Sequence, residues 1–232
     1  MKKFKLFCLP HAGASANSYI GFKQFLPNYV EVIPIELAGR GKRFGETLYD
    51  DVDQAVNDIY KEINKHLNGI PYFIFGHSMG GILAYELTHK IYLSNLPKPE
   101  FVIFSGVNPP HRKIEHRRHL LSDESLKKEI LLMGGTPNEL IANNELFNIF
   151  LPIVRADLKI VEKYIHQNNR KIFNCDIIVL NGISDILTSN EEINEWENYT
   201  SENFTIVHFT GDHFFVQDCM REIADVILTK LE

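Results

Sequence analysis

Cysteine, long apolar runs and an excess of basic charge are all missing or scarce in this 232-residue chain, and each scarcity closes off a class of function. The three cysteines, Cys8, Cys175 and Cys219, are odd in number, far apart and without C-x-x-C spacing, so neither a disulfide framework nor a zinc site is expected. A reducing, cytoplasmic setting fits that usage. Lys and Arg number 24 against 30 Asp and Glu, a formal net charge of −6, and an acidic balance of this kind argues against a nucleic-acid partner. No apolar run approaches the roughly 20 residues of a membrane span. The opening MKKFKLFCLP imitates a secretory signal, but Pro10 cuts its apolar run after about five residues where a signal core needs roughly 7–15. No membrane partner is expected, and the same residues make a good first strand.

What remains is ordinary globular material, 44% hydrophobic and 23% charged, at a length that one α/β domain over 1–232 accommodates. Short β-branched and aromatic runs at Phe4–Leu9, Val30–Ile35, Tyr72–Phe75, Phe101–Phe104, Ile177–Leu180 and Phe204–Phe209 read as strands. Between them lie helical stripes, one of Val52, Ala55, Val56, Ile59, Ile63 and Leu67, another of Val216, Met220, Ile223, Ile227 and Leu231. Strands alternating with helices imply a mostly parallel, doubly wound sheet. The alternation breaks from about 108 to 169, where DESLKKEILLMGG and NNELFNIFLPIVRADLKIVEKYIH carry helical patterns with no strand between them. A helical insertion there, directly after a strand, would lie over the carboxyl ends of the sheet, where α/β sites form, and is a candidate lid.

The stretch FIFGHSMGGILAYEL holds the chemistry. Gly76-His77-Ser78-Met79-Gly80 matches G-x-S-x-G between a strand-like and a helix-like run, a pattern expected on the order of 0.1 times by chance in a chain this long. A sharp turn of this kind strains the serine and leaves no room for side chains at its flanks, so glycine stands there and Oγ stands clear. Ser78 then lies at a helix N-terminus, where the Met79 N–H can face an anionic intermediate.

A serine hydroxyl needs a base, and α/β-hydrolases supply it in the chain order Ser, Asp or Glu, His. IIVLNGISDIL puts Asp185 in the loop leaving one apolar strand, and FTIVHFTGDHFF puts His213 in the loop leaving the next. Asp176 precedes its strand and sits at the wrong end of the sheet, and Asp212 adjoins the histidine and reads as a turn residue. The other histidines occupy helical, insertion or strand settings. A second oxyanion donor is expected from LPHAGAS after the first strand, with the N–H of Ala12 as the candidate; Ser15 could cap a following helix.

With these stretches in hand, the chain resembles the type II thioesterases, the stand-alone α/β-hydrolases that accompany nonribosomal peptide and polyketide synthases. The resemblance runs through LPHAGAS, ELAGRGKR with Arg40, FGHSMGG, SGVNPPH, GGTPNEL, LPIVRADLKIVEKY, NGISD and GDHFF. The chain departs from the family in having His11 where an aromatic ring is common and Ala14 where a second glycine is common. The resemblance implies hydrolysis of acyl thioesters from the phosphopantetheine arm of carrier domains, clearing misprimed or stalled chains. It implies no metal or organic cofactor, and a carrier supplied by another protein; a monomer is expected. General carboxylesterase or acyltransferase chemistry on the same fold is the alternative, and a non-catalytic carrier-binding protein a third. In HRKIEHRRH, Arg112, Arg117 and Arg118 are candidates for docking an acidic carrier, against the plainer reading of a solvated helix face.

Overall fold

The computed structural model describes residues 2–136, 140, 142–167 and 170–231. Six strands form one parallel sheet: β1 (Phe4–Leu9), β2 (Val30–Pro34), β3 (Tyr72–His77), β4 (Phe101–Ser105), β5 (Asp176–Gly182) and β6 (Phe204–Phe209), in the order β2-β1-β3-β4-β5-β6. All six correspond to apolar runs in the sequence. The period-2 pleat sorts their residues between two cores. Phe7, Leu9, Ile74, Val102, Phe104, Ile177 and Val179 face α1 (Val52–His66) and α2 (Met79–Tyr92). Leu6, Cys8, Phe73, Phe75, Ile103, Ile178 and Leu180 face α6 (Met220–Leu231), which follows the short α5 (Phe215–Asp218). Continuous apolar strands are what burial on both faces demands.

Chain direction across the sheet reverses between β1 and β3, so the loops leaving them diverge and open a crevice at their carboxyl ends. Leu9 is paired with Gly76 at that point.

Between β4 and β5 lie α3 (Asp123–Met133) and α4 (Asn144–Glu162), as the break in alternation predicts. They share a small core of Leu126, Ile130, Phe147, Leu151, Val154 and Leu158. Both are capped: Ser122 Oγ accepts from Ser125 N–H, and Asn143 Oδ1 from Glu145 and Leu146 N–H. Of GGTPNEL, residues 137–139 lie outside the described residues, as do 168–169 at the insertion's far end.

Two segments are 3₁₀ helices rather than α. In Ala16–Gln24 the buried residues are Tyr19 and Phe22, and in Glu192–Tyr199 they are Ile193 and Trp196, three residues apart in each case. A spacing of three matches a helix of three residues per turn. Ser15 occupies the N-cap position of the first, but its side chain makes no capping bond.

Candidate active site

Ser78 joins the end of β3 to the start of α2 with φ 54° and ψ −117°, and is the one non-glycine residue at positive φ among the described residues. Such a conformation costs about 1–3 kcal/mol and persists only when the surroundings impose it. Here Ser78 N–H donates to Ser105 C=O at 2.8 Å, and Gly81 N–H to Ser78 C=O at 2.8 Å. The flanking glycines are sterically required. A Cβ on Gly76 would lie 2.1 Å from Gly80 C=O oxygen, and one on Gly80 would lie 2.2 Å from Leu9 C=O oxygen. The elbow is therefore jammed against β1, and the half-buried Ser78 projects into the crevice.

Asp185 and His213 come together across 28 residues: His213 Nδ1 and Asp185 Oδ2 are 2.8 Å apart, both residues buried. The other carboxylate oxygen, Oδ1, accepts from Leu187 N–H at 2.8 Å, so the carboxylate is held at both ends. With Nδ1–H donated to Asp185, Nε2 is left as the acceptor nitrogen. The two loops that carry this pair are packed backbone to backbone; a Cβ on Gly182 would lie 2.3 Å from Asp212 C=O oxygen. Asp212 accepts from Phe214 N–H, the turn role its position implies. Asp176 ion-pairs with Lys230 at the opposite end of the sheet.

Ser78, Met79, Ala12 and His213 line one cavity of about 410 Å³. Residues of the insertion, among them Pro109, Arg112, Ile114, Met133 and Leu158, form its other walls. Among the described residues neither the Ala12 nor the Met79 backbone N–H has a hydrogen-bond partner. Two unclaimed donors beside a serine are what an oxyanion needs. A second cavity, of about 540 Å³, adjoins the first and shares Ala12, Met133 and Leu158 with it.

The comparisons with known proteins bear on this geometry. A family model for the thioesterase domain matches residues 4–231. The chain belongs to the thioesterase family. It is 30% identical to the gramicidin S biosynthesis protein GrsT of Aneurinibacillus migulanus over 99% of its own length and 89% of that protein's. Among solved structures it is similar to ClbQ from the colibactin NRPS/PKS pathway, with TM-score 0.95 and 34% identity, covering 99% of this chain and 97% of that one. It is also similar to the type II thioesterase BorB from the borrelidin biosynthetic cluster, with TM-score 0.90 and 30% identity, covering 99% and 93%. This thioesterase is accordingly a thioester hydrolase of α/β-hydrolase architecture.

Sequence reasoning noted His11 as a departure but overlooked the groups around it in the thioesterase site. His77 is buried beside the His213 ring, with centroids 5.0 Å apart, and its Nδ1 lies 3.0 Å from Ser105 Oγ. Burial holds its pKa well below the ordinary value, and the nearby charges of His213 and His11 lower it further. His11, whose Nδ1 is 3.0 Å from the Tyr19 hydroxyl, is pushed down to about 3 by burial, then by His213 and Arg40. Both rings are neutral at pH 7. Gly106, at φ 55°, makes room for the His77 and His213 rings: a Cβ there would lie 2.7 Å from His77 Cε1 and 3.3 Å from His213 Cε1. Trp196 stacks on Phe104 with centroids 3.9 Å apart and donates its indole N–H to Val107 C=O at 3.0 Å, securing the loop that carries Gly106.

The basic run at 111–119 is less free than its formal charge implies. Arg112 is engaged by Glu195 and Glu192, His111 by Glu195 and Tyr199, and Arg118 by Glu129 at 3.1 Å. Arg117 is exposed and has no ion-pair partner among the described residues.

Proposed function

We propose that this thioesterase hydrolyses acyl groups from the phosphopantetheine arm of carrier domains, clearing misprimed or stalled chains from nonribosomal peptide or polyketide synthases. The observation that carries the reading is the strained Ser78 in one cavity with His213, whose ring is fixed by Asp185, and two unclaimed N–H donors. The similarity to GrsT, ClbQ and BorB supports the carrier-linked substrate.

In this reading His213 Nε2 takes the Ser78 proton as Oγ attacks the thioester carbonyl carbon. The resulting oxyanion is held by the Met79 and Ala12 N–H groups. Collapse expels the pantetheine thiol, which leaves with the proton from His213. A water molecule, deprotonated by the same nitrogen, then attacks the acyl-enzyme, and a second collapse returns Ser78 and releases the carboxylic acid. Asp185 holds the imidazole in the required tautomer and stabilises its charged form. Every proton and charge in these steps is handled by the chain's own groups.

The single domain works as a cytoplasmic monomer, with the segment from about 108 to 169 as its lid. Docking of the carrier falls to the basic edge at Arg112, Arg117 and Arg118, with Arg117 the group left exposed. The test is intact-protein mass spectrometry of a carrier domain bearing acetyl-phosphopantetheine, incubated with the wild-type chain and with Ser78→Ala. Loss of the acetyl mass with wild type alone is the expected result. No loss beside cleavage of a simple oxygen ester would replace this reading with a general esterase.

A further inference from the structure

The insertion reaches the oxyanion loop through a buried ion pair. Asp157, on α4, is 0% exposed, and Arg40, from the loop after β2, is 4% exposed. They meet through two parallel bonds, Arg40 Nη1 to Asp157 Oδ2 at 2.5 Å and Nη2 to Oδ1 at 2.7 Å. A bidentate pair of this kind fixes geometry as well as charge. The same carboxylate oxygen, Oδ2, accepts the Gly13 N–H at 2.7 Å, and Arg40 Nη1 also donates to Ala14 C=O at 3.2 Å. The ion pair thus grips the turn from His11 to Ala14 on the C-terminal side of Ala12, and Ala14 N–H to His11 C=O at 3.1 Å closes the turn and holds the peptide that carries the Ala12 N–H. The turn is also pressed from above: Gly13 sits at φ 80°, and a Cβ there would lie 2.9 Å from both Phe150 and Val154 of α4.

We propose that Asp157 and Arg40 are positioning residues for the oxyanion hole, aiming the Ala12 N–H by clamping the next peptide. A carboxylate on Gly13 N–H fixes the Ala12–Gly13 peptide plane, and the guanidinium on Ala14 C=O stops the turn from rotating about it. The donor that faces the developing charge then needs no reorganisation at the moment of attack, which is where such a donor gains its effect. On this account α4 is a part of the catalytic electrostatics and not only a wall of the cavity.

The inference rests on the reading of Ser78 as nucleophile and Ala12 as oxyanion donor. It is tested with Asp157→Asn, which keeps the volume but turns an NH₂ group against Arg40 in either orientation, and against Gly13 N–H as well in one of them. Hydrolysis of an acyl-pantetheine thioester is measured together with the affinity for two ligands: an alkylboronic acid, which forms a tetrahedral adduct on Ser78, and the thioether analogue of the substrate, which carries no electrophile. The expected result is a fall in kcat of between about 10- and 100-fold, KM within about threefold, boronate affinity reduced by the same factor as kcat/KM, and thioether affinity unchanged. Equal loss of boronate and thioether affinity, or a folded variant with wild-type kcat, overturns the clamp. Should Asp157→Asn fail to fold, Arg40→Lys serves in its place; it keeps the charge but loses the two-pronged contact, and a smaller loss with the same split between the two ligands is expected. A wild-type chain that turns over no acyl thioester would reject the underlying reading instead, so the two failures are distinguishable.

Discussion

Replacing Asp185 by asparagine should lower kcat by about four orders of magnitude while leaving the fold in place. The reason lies in the second oxygen. Oδ1 already accepts from Leu187 N–H, so in the variant the amide oxygen is required there and the NH₂ group must face His213. Two N–H groups cannot face one another at 2.8 Å, and the imidazole resolves the conflict by moving its proton to Nε2. In that tautomer Nε2 can no longer accept from Ser78. Loss of a correctly oriented base in a serine triad costs about 10⁴ in kcat, or about 5 kcal/mol of barrier. The assay is thioester hydrolysis across pH 6–9, with thermal melting as the control for folding. A melting temperature close to wild type with less than a tenfold loss of kcat would falsify the argument, because it would mean that His213 is oriented by something other than Asp185.

The acid side of the stability curve should be steep. Burial holds His11 and His89 down to about 3 and His77 well below its ordinary value, so between pH 6.5 and about 3 the unfolded chain binds protons that the native chain refuses. Stability is full above pH 6.5 and falls as pH drops, each histidine adding a slope that approaches about 1.4 kcal/mol per pH unit; urea melts that give the same stability at pH 6.5 and 5 would refute this. Gly80→Ala should destabilise more than Gly81→Ala in the same melts, since the new Cβ meets Leu9 backbone at 2.2 Å in the first and a movable Val107 methyl at 2.4 Å in the second; the reverse ranking would show that α2 slides without cost. Arg117→Glu should reduce kcat/KM for an acyl-carrier at low salt and leave acyl-pantetheine turnover unchanged, with the difference shrinking as salt is added. Equal turnover of the carrier substrate by both proteins would remove Arg117 from docking. Reversal of Arg112 or Arg118 is a poorer probe, because it also breaks pairs with Glu195 or Glu129.

Much of this architecture could be read from local pattern. The strands are apolar runs, the elbow is five consecutive residues, and Asp185 and His213 each follow a strand, so topology alone brings them to one end of the sheet. The parts that escaped are those whose partners are remote or whose period went unread. Asp157 touches Gly13 across 144 residues, and nothing in RAD announces that its carboxylate faces a loop rather than solvent. His77 sits inside the motif, yet its neutrality depends on burial that only the folded sheet supplies. The two 3₁₀ helices did carry a signal: Tyr19 and Phe22, and Ile193, Trp196 and Tyr199, repeat at three rather than at 3.6. In the basic run a local charge count omits the partners of Arg112, because Glu192 and Glu195 lie some 80 residues away.

The polar ties of the insertion are unevenly distributed. α4 and the turn beyond it are bonded to the body of the protein at Asp157, at Lys159 through Asp50, and at Tyr164 through Glu86. Among the described residues the ion pairs and side-chain bonds of α3 run only to other parts of the insertion: Asp123 to Arg155, Lys127 to Asn144, Glu129 to Arg118. One helix is anchored and the other is carried. For anyone redesigning which acyl chains this enzyme accepts, that asymmetry divides the cavity walls into two kinds of territory. Met133, at the end of the carried helix and on the boundary between the two cavities, can be exchanged for a smaller or larger side chain without touching a bond to the body. Leu158, on the same boundary but one residue from Asp157, cannot be moved without disturbing the ion pair beside it.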